Sequence, residues 1–182
     1  RFLLMKNDVI IITGAAMGLG LAAAKECAAK GAKLVLVDYN EKELKSAHES
    51  LKEEHSELET ITVVADVSDE AAVKGYVDEA VNAFGKIDGF YNNAGIEGRQ
   101  ANLTDYDMDI FKKVIDINLM GVYYGMRHVL PRAVRRGESE AARMRRAWRT
   151  RGRSGRGPPR GSPSRGGRCA EPYRVRVPHV DA

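Results

Sequence analysis

Asp8-Val-Ile-Ile-Ile-Thr-Gly-Ala-Ala-Met-Gly-Leu-Gly20 is the stretch whose reading decides the fold. The run from Asp8 to Ile12 is too short for a helix and apolar enough for a buried strand. Thr13 to Gly20 then reads T-G-x-x-x-G-x-G, and an alanine-rich helix follows from Leu19. Strand, glycine turn and helix start, in that order, make an anion site, because free backbone N–H groups and the positive end of the helix dipole face the turn. Gly14 permits the sharp turn, Gly18 leaves room for a ligand to approach the backbone, and Gly20 lets helix and strand pack closely.

The surroundings sharpen this reading. Lys30-Gly31 is a helix C-cap signal, and Lys33-Leu-Val-Leu-Val-Asp38 is a second buried strand. Its last residue is acidic and lies about 20 positions beyond the glycine turn, where an acceptor for a ribose 2′-hydroxyl belongs. The combination predicts a dinucleotide site. Asp38 could also cap the next helix, a role compatible with the first.

Further along, Asn40 opens a charged outer helix, Glu41 to about Glu54, on which His48 and His55 read as surface residues. Thr60–Ala65 is a third strand ending in Asp66-Val67. Ser68 is expected to cap a helix from Asp69 to Phe84, with apolar positions 73, 77, 80, 81 and 84 on one face. Gly85-Lys86 stops it, and Gly89–Gly95 holds a fourth strand and its turn. Thr104-Asp-Tyr-Asp107 has the pattern of a capping box opening a long helix to about Val129. Ile110, Val114, Ile117, Met120 or Gly121, and Tyr124 form its apolar stripe. Asn118 sits mid-helix, a poor place for Asn by propensity, and reads either as a tolerated polar residue or as one with a buried polar task, such as breaking the helix ladder to hold a water. Alternating strands and helices force an α/β, doubly wound parallel sheet with its ligand sites beyond the carboxyl ends of the strands.

Composition divides the chain near Pro131. The net charge of +4 combines residues 1–131, with 14 Lys+Arg against 21 Asp+Glu, and residues 132–182, with 15 Arg, no Lys and 4 acids. The first part can bury one core. It has no apolar run long enough to cross a bilayer and no leader-like segment before the first strand. Cys27 reads as a small core residue, and with Cys169 far away neither a disulfide framework nor a zinc site is expected. The expected location is cytoplasmic.

Residues 6–131 resemble the N-terminal half of a short-chain dehydrogenase/reductase. The resemblance rests on T-G-x-x-x-G-x-G at Thr13–Gly20, Asp66-Val67, N-N-A-G at Asn92–Gly95, and Asp116-Ile-Asn-Leu-Met-Gly121. It implies a Rossmann-like fold and NAD(P)-dependent interconversion of a secondary alcohol and a ketone. It also implies cofactor contacts at Gly14, Met17, Gly18, Leu19, Asp38, Asp66, Val67, Asn93, Ala94 and Gly95, and a catalytic Asn118. Asp38 favours NAD over NADP, since a 2′-phosphate would face its carboxylate. The family implies a homo-oligomer assembled through the helix at Thr104–Val129 and the one after it. The second helix is not recognisable here, which puts assembly in doubt.

The same resemblance implies a Ser and a Tyr followed by Lys four residues on, spaced to share one helix face. No tyrosine of the chain has that lysine; Tyr123 has Arg127, which cannot titrate in the same role. A fifth strand is not recognisable either, so the domain reads as truncated, and turnover by this chain is not expected.

Residues 132–182 are rich in Arg, Gly, Pro and Ser, and Gly152–Gly167 cannot pack a core. They read as a disordered basic tail. One account is a reading-frame shift in a GC-rich gene after Pro131, which predicts that another frame encodes the fifth strand, the Ser and Y-x-x-x-K. The other is a non-catalytic NAD-binding or interaction protein whose basic arm meets nucleic acid. A membrane-surface role is disfavoured by the thin apolar face of residues 133–148.

Overall fold

The computed structural model describes residues 5–133. The tail from residue 134 onward therefore lies outside the described residues, as do the expectations attached to it.

The four apolar runs form one parallel sheet in the order β3-β2-β1-β4. Its strands are β1 (Val9–Thr13), β2 (Lys33–Asp38), β3 (Thr60–Val64) and β4 (Gly89–Tyr91). Ile11 pairs with Val35 on one side and Phe90 on the other, and Val35 pairs in turn with Ile61. A parallel sheet covered on both faces needs apolar side chains both up and down, which is why β1 and β2 are continuous apolar runs.

Helices fill the crossovers. α1 (Gly18–Ala29) and α2 (Glu41–Glu54) cover one face, where Ile12, Leu34 and Leu36 pack with Ala24, Ala28, Leu44 and Leu51. α3 (Glu70–Phe84) covers the other, where Ile11, Val35 and Val37 meet Val73, Tyr76, Val77 and Ala80. α4 (Met108–Ile115) leads through a π-helical turn (Asp116–Met120) into α5 (residues 121–133), whose Val129 joins the same cluster. No helix among the described residues is long and apolar enough to cross a membrane.

Several local expectations hold. Asn40 caps α2 by accepting from the Glu43 N–H, and Gly85 ends α3 with a φ of 74°. The expected stripe on α4 and α5 is half-buried at Ile110, Val114, Ile117 and Tyr124, and Gly121 is buried.

Others are corrected. Asp69, not Ser68, caps α3 by accepting from the Ala71 N–H, because the Ser68 hydroxyl is turned back to Asp66. Thr104 opens no helix: Leu103–Asp105 is a single 3-10 turn, and α4 starts later under Asp107, which accepts from the Asp109 and Ile110 N–H groups. Asp38 is not the cap of α2, since Asn40 holds that position. His48, His55 and Cys27 are half-buried rather than at the surface or fully in the core. Burial pushes the Cys27 thiol pKa up against the opposing effect of Lys30.

Candidate functional site

At the carboxyl end of β1, Thr13 is fully buried and its hydroxyl is an anchor for two chain segments. Thr13 Oγ1 accepts from the Asn93 N–H at 3.0 Å and the Ala94 N–H at 3.1 Å. Asn93 answers with its side chain, whose Nδ2 donates to the Thr13 carbonyl at 3.0 Å and lies 3.4 Å from that of Gly14. The turn after β4 is thereby bolted to the turn after β1. Gly14 sits at φ 63°, in the left-handed region that a side chain disfavours. A Cβ on Gly20 would overlap the Gly14 carbonyl oxygen, so this glycine is what lets α1 start so close to the strand.

The end of β2 holds the same turn from the other side. The Ala15 N–H donates to the Val37 carbonyl at 3.1 Å and the Ala16 N–H to Asp38 Oδ2 at 3.0 Å. Asp38 Oδ1 accepts from the Asn40 N–H, also at 3.0 Å. This carboxylate is only 8% exposed, yet each oxygen keeps lone-pair capacity after its single hydrogen bond.

The start of α1 differs chemically from that of the later helices. Met17, its N-cap residue, makes no side-chain cap, and its first turn contains no acidic residue. α2, α3 and α4 are each capped by Asn or Asp. Among the described residues no side chain caps the N-terminal dipole of α1. Beside it, Gly18 has a φ of 55°, and a Cβ there would meet nothing within 4 Å.

These parts open on one cleft of about 470 Å³. Gly14, Met17, Leu19, Asp38, Asp66, Val67, Asn93, Ala94 and Gly95 all line it. Gly18 stands at the start of α1 without lining the cleft, and neither does Asn118. Asn118 works from behind: its Oδ1 accepts from the Ile96 N–H and its Nδ2 donates to the Ile96 carbonyl, both at 2.9 Å. A buried polar task is expected at this position, but Asn118 is exposed, and its amide is spent on the Ile96 backbone. Asp66 points its Oδ1 at its own turn, accepting from the Ser68 N–H and hydroxyl at 2.9 and 2.7 Å.

Sequence reasoning missed Tyr39, Ile96, Lys113 and Ile117, which also line the cleft. Lys113 and Ile117 are one helical turn apart, and Ile117 immediately precedes Asn118, a spacing that could have flagged them. Met17, Leu19 and Tyr39 are apolar or aromatic side chains 60%, 75% and 74% exposed at this cleft, ready to cover a ligand. Among the described residues no group of His, Cys, Asp and Glu could hold a metal ion.

Fold and site together define a Rossmann-like α/β domain with a cleft at the carboxyl end of its sheet, and comparison with known proteins identifies its family. The chain belongs to the short chain dehydrogenase family, whose model matches residues 8–142. It is 48% identical over 124 residues to levodione reductase of Leifsonia aquatica, covering 68% of this chain and 46% of that protein. The crystal structure of levodione reductase superposes with a TM-score of 0.68 at 46% identity, covering 70% of this chain and 49% of that one. An NAD+-bound xylitol dehydrogenase gives a TM-score of 0.67 at 38% identity, covering 70% and 48%. The chain spans about half the length of the curated relatives it matches.

Proposed function

We propose that the described domain is the NAD-binding half of an oxidoreductase acting between a secondary alcohol and a ketone, and that the 182-residue chain holds the cofactor without completing turnover. The observation that carries this reading is the uncapped start of α1 beside Gly18, opening on a cleft that also contains the Asp38 carboxylate. A pyrophosphate needs backbone donors and unobstructed space, and both are present there. NAD, when bound, supplies the hydride acceptor and NADH the donor.

The chain's own residues divide the remaining work. Gly14, Met17, Gly18 and Leu19 would hold the pyrophosphate. The lone pairs left on Asp38 would take ribose hydroxyls and oppose a 2′-phosphate, favouring NAD over NADP. Asp66 and Val67 would bound the adenine side, and Asn93, Ala94 and Gly95 the floor. Asn118 fixes Ile96 and with it the loop over the site. What the sequence lacks is a base for the hydroxyl proton, since no Tyr in it is followed by Lys at the fourth position.

A calorimetric titration of the full chain with NAD and NADP, followed by a hydride-transfer assay on a panel of secondary alcohols, tests the proposal. NAD should bind more tightly than NADP, and no alcohol should be oxidised. Absent binding, or a preference for NADP, would overturn it. Translating the other frames of the gene across the codons for Val129–Arg136 tests the frame-shift account of the basic tail. A frame encoding Ser and Y-x-x-x-K supports that account. If no frame encodes them and the chain shows salt-sensitive nucleic-acid binding, the interaction-protein reading takes its place.

A further inference from the structure

We propose that Asp38 is a positioning residue for the glycine turn, organising the anion-binding N–H groups of the β1–α1 junction before any cofactor arrives. The inference rests on the reading of the cleft as a dinucleotide site and adds a second task to a residue otherwise assigned only to the ribose.

A buried carboxylate is stable only where donors meet it. Asp38 meets the Ala16 N–H, 22 residues away in sequence, and the Asn40 N–H, two residues on. Ala16 is itself 6% exposed, so without Asp38 its N–H would be left without a partner and largely shut off from water. The preceding N–H, on Ala15, is held by the Val37 carbonyl. Two successive amides of the turn are thus fixed by two successive residues of β2, one through backbone and one through a side chain. Beyond Ala16 the chain enters α1 at Met17 and Gly18, where no side chain caps the helix. The path of those uncapped amides is set by the last tether before them, which is Asp38.

The two tasks predict opposite signs for one measurement. Inorganic pyrophosphate has no ribose. If Asp38 only reads ribose, removing its negative charge from the vicinity of an anion should leave pyrophosphate binding unchanged or strengthen it. If Asp38 positions the turn, the same change should weaken it.

The experiment uses the full chain and titrates inorganic pyrophosphate into wild type, Asp38→Ala and Asp38→Asn, well below each protein's unfolding temperature. Asp38→Ala should weaken pyrophosphate binding roughly tenfold, or ~1.4 kcal/mol. Asp38→Asn should fall between, because its single amide oxygen replaces only part of the carboxylate's acceptor capacity. A residue that merely supports the fold would lower the unfolding temperature and leave this affinity alone. Pyrophosphate affinity unchanged or raised in Asp38→Ala would overturn the proposal.

Amide hydrogen exchange of the cofactor-free wild type gives an independent reading that survives even if the variants fail to fold. The Ala16 amide should be protected, and exchange at the rate of an open loop would sink the idea. If wild type binds neither pyrophosphate nor NAD but Ala16 is protected in wild type and loses that protection in Asp38→Ala, the dinucleotide reading fails while the tether stands.

Discussion

Asn118 and Ile96 are joined twice, amide to peptide, with the side-chain oxygen on the Ile96 N–H and the side-chain nitrogen on its carbonyl. Asn118 lies in the π-helical turn Asp116–Met120, and Gly95 leaves the room it needs, since a Cβ there would come within 3.2 Å of Asn118 Oδ1. A helix irregularity, a glycine and a loop are therefore one unit. Asn118→Leu removes both hydrogen bonds at an exposed position where water can take over, so the cost should be only about 1 kcal/mol. Urea denaturation would measure that loss. The sharper sign should be faster exchange of the Ile96 amide, with the amides of β1 and β2 unchanged.

Thr13 should be far less tolerant. Val has nearly the same shape, but it deletes the acceptor that serves both the Asn93 and the Ala94 N–H. Two part-buried donors are then left over, and Thr13→Val should destabilise the domain by roughly 2–4 kcal/mol. Thr13→Ser keeps the oxygen and loses one buried methyl, for about 1 kcal/mol. Paired unfolding curves decide the matter: equal losses for the two variants would mean that the hydroxyl does not hold the junction.

Gly18 and Gly20 should separate binding from folding. A methyl on Gly20 overlaps the Gly14 carbonyl, and backbone cannot swing aside as a flexible side chain would. Gly20→Ala should therefore cost several kcal/mol, on the order of 3 or more. A methyl on Gly18 meets nothing, so the expected penalty is the left-handed φ alone, about 1 kcal/mol. Gly18 is one of the residues proposed to hold the pyrophosphate through bare backbone, so the added methyl is expected to obstruct that contact. Gly18→Ala should unfold near the wild-type temperature and lose most of its NAD affinity, which thermal scans with and without NAD would show.

How much of this could be read in advance depended on whether a residue's task was periodic or geometric. β1, β2 and the glycine turn were legible because doubly covered strands are apolar throughout and a turn needing positive φ selects glycine. Asp38 was legible from its distance along the chain, but its bond to Ala16 was not, since nothing local links positions 22 apart. The cap of α3 is expected at Ser68 and found at Asp69, an equally good cap type, because Asp66 captures the Ser68 hydroxyl. The only trace of the π-helical turn is Asn118, because the half-buried stripe runs through it from Ile110 to Tyr124 without a break. Lys113 lies one turn before Ile117, and only the fold brings that face to the cleft.

Tyr76 carries a cost that one substitution should remove. Its ring is 1% exposed in the cluster with Val73, Val77 and Ala80, and its hydroxyl oxygen is buried with no hydrogen-bond partner among the described residues. Tyr76→Phe deletes an unsatisfied polar atom and keeps the ring, so stability should be unchanged or rise by up to about 1 kcal/mol. Burial pushes the phenol well above the ordinary tyrosine range. The neutral form is therefore the one the folded state holds. In the unfolded chain the group releases its proton near pH 10. Tyr76's contribution is then fully present below that pH and lost progressively as pH rises toward the folded value. Wild type should lose stability on the alkaline side faster than Tyr76→Phe, the gap opening above about pH 10. Denaturation curves for both proteins between neutral and alkaline pH would show it; parallel curves would mean that the hydroxyl finds a partner.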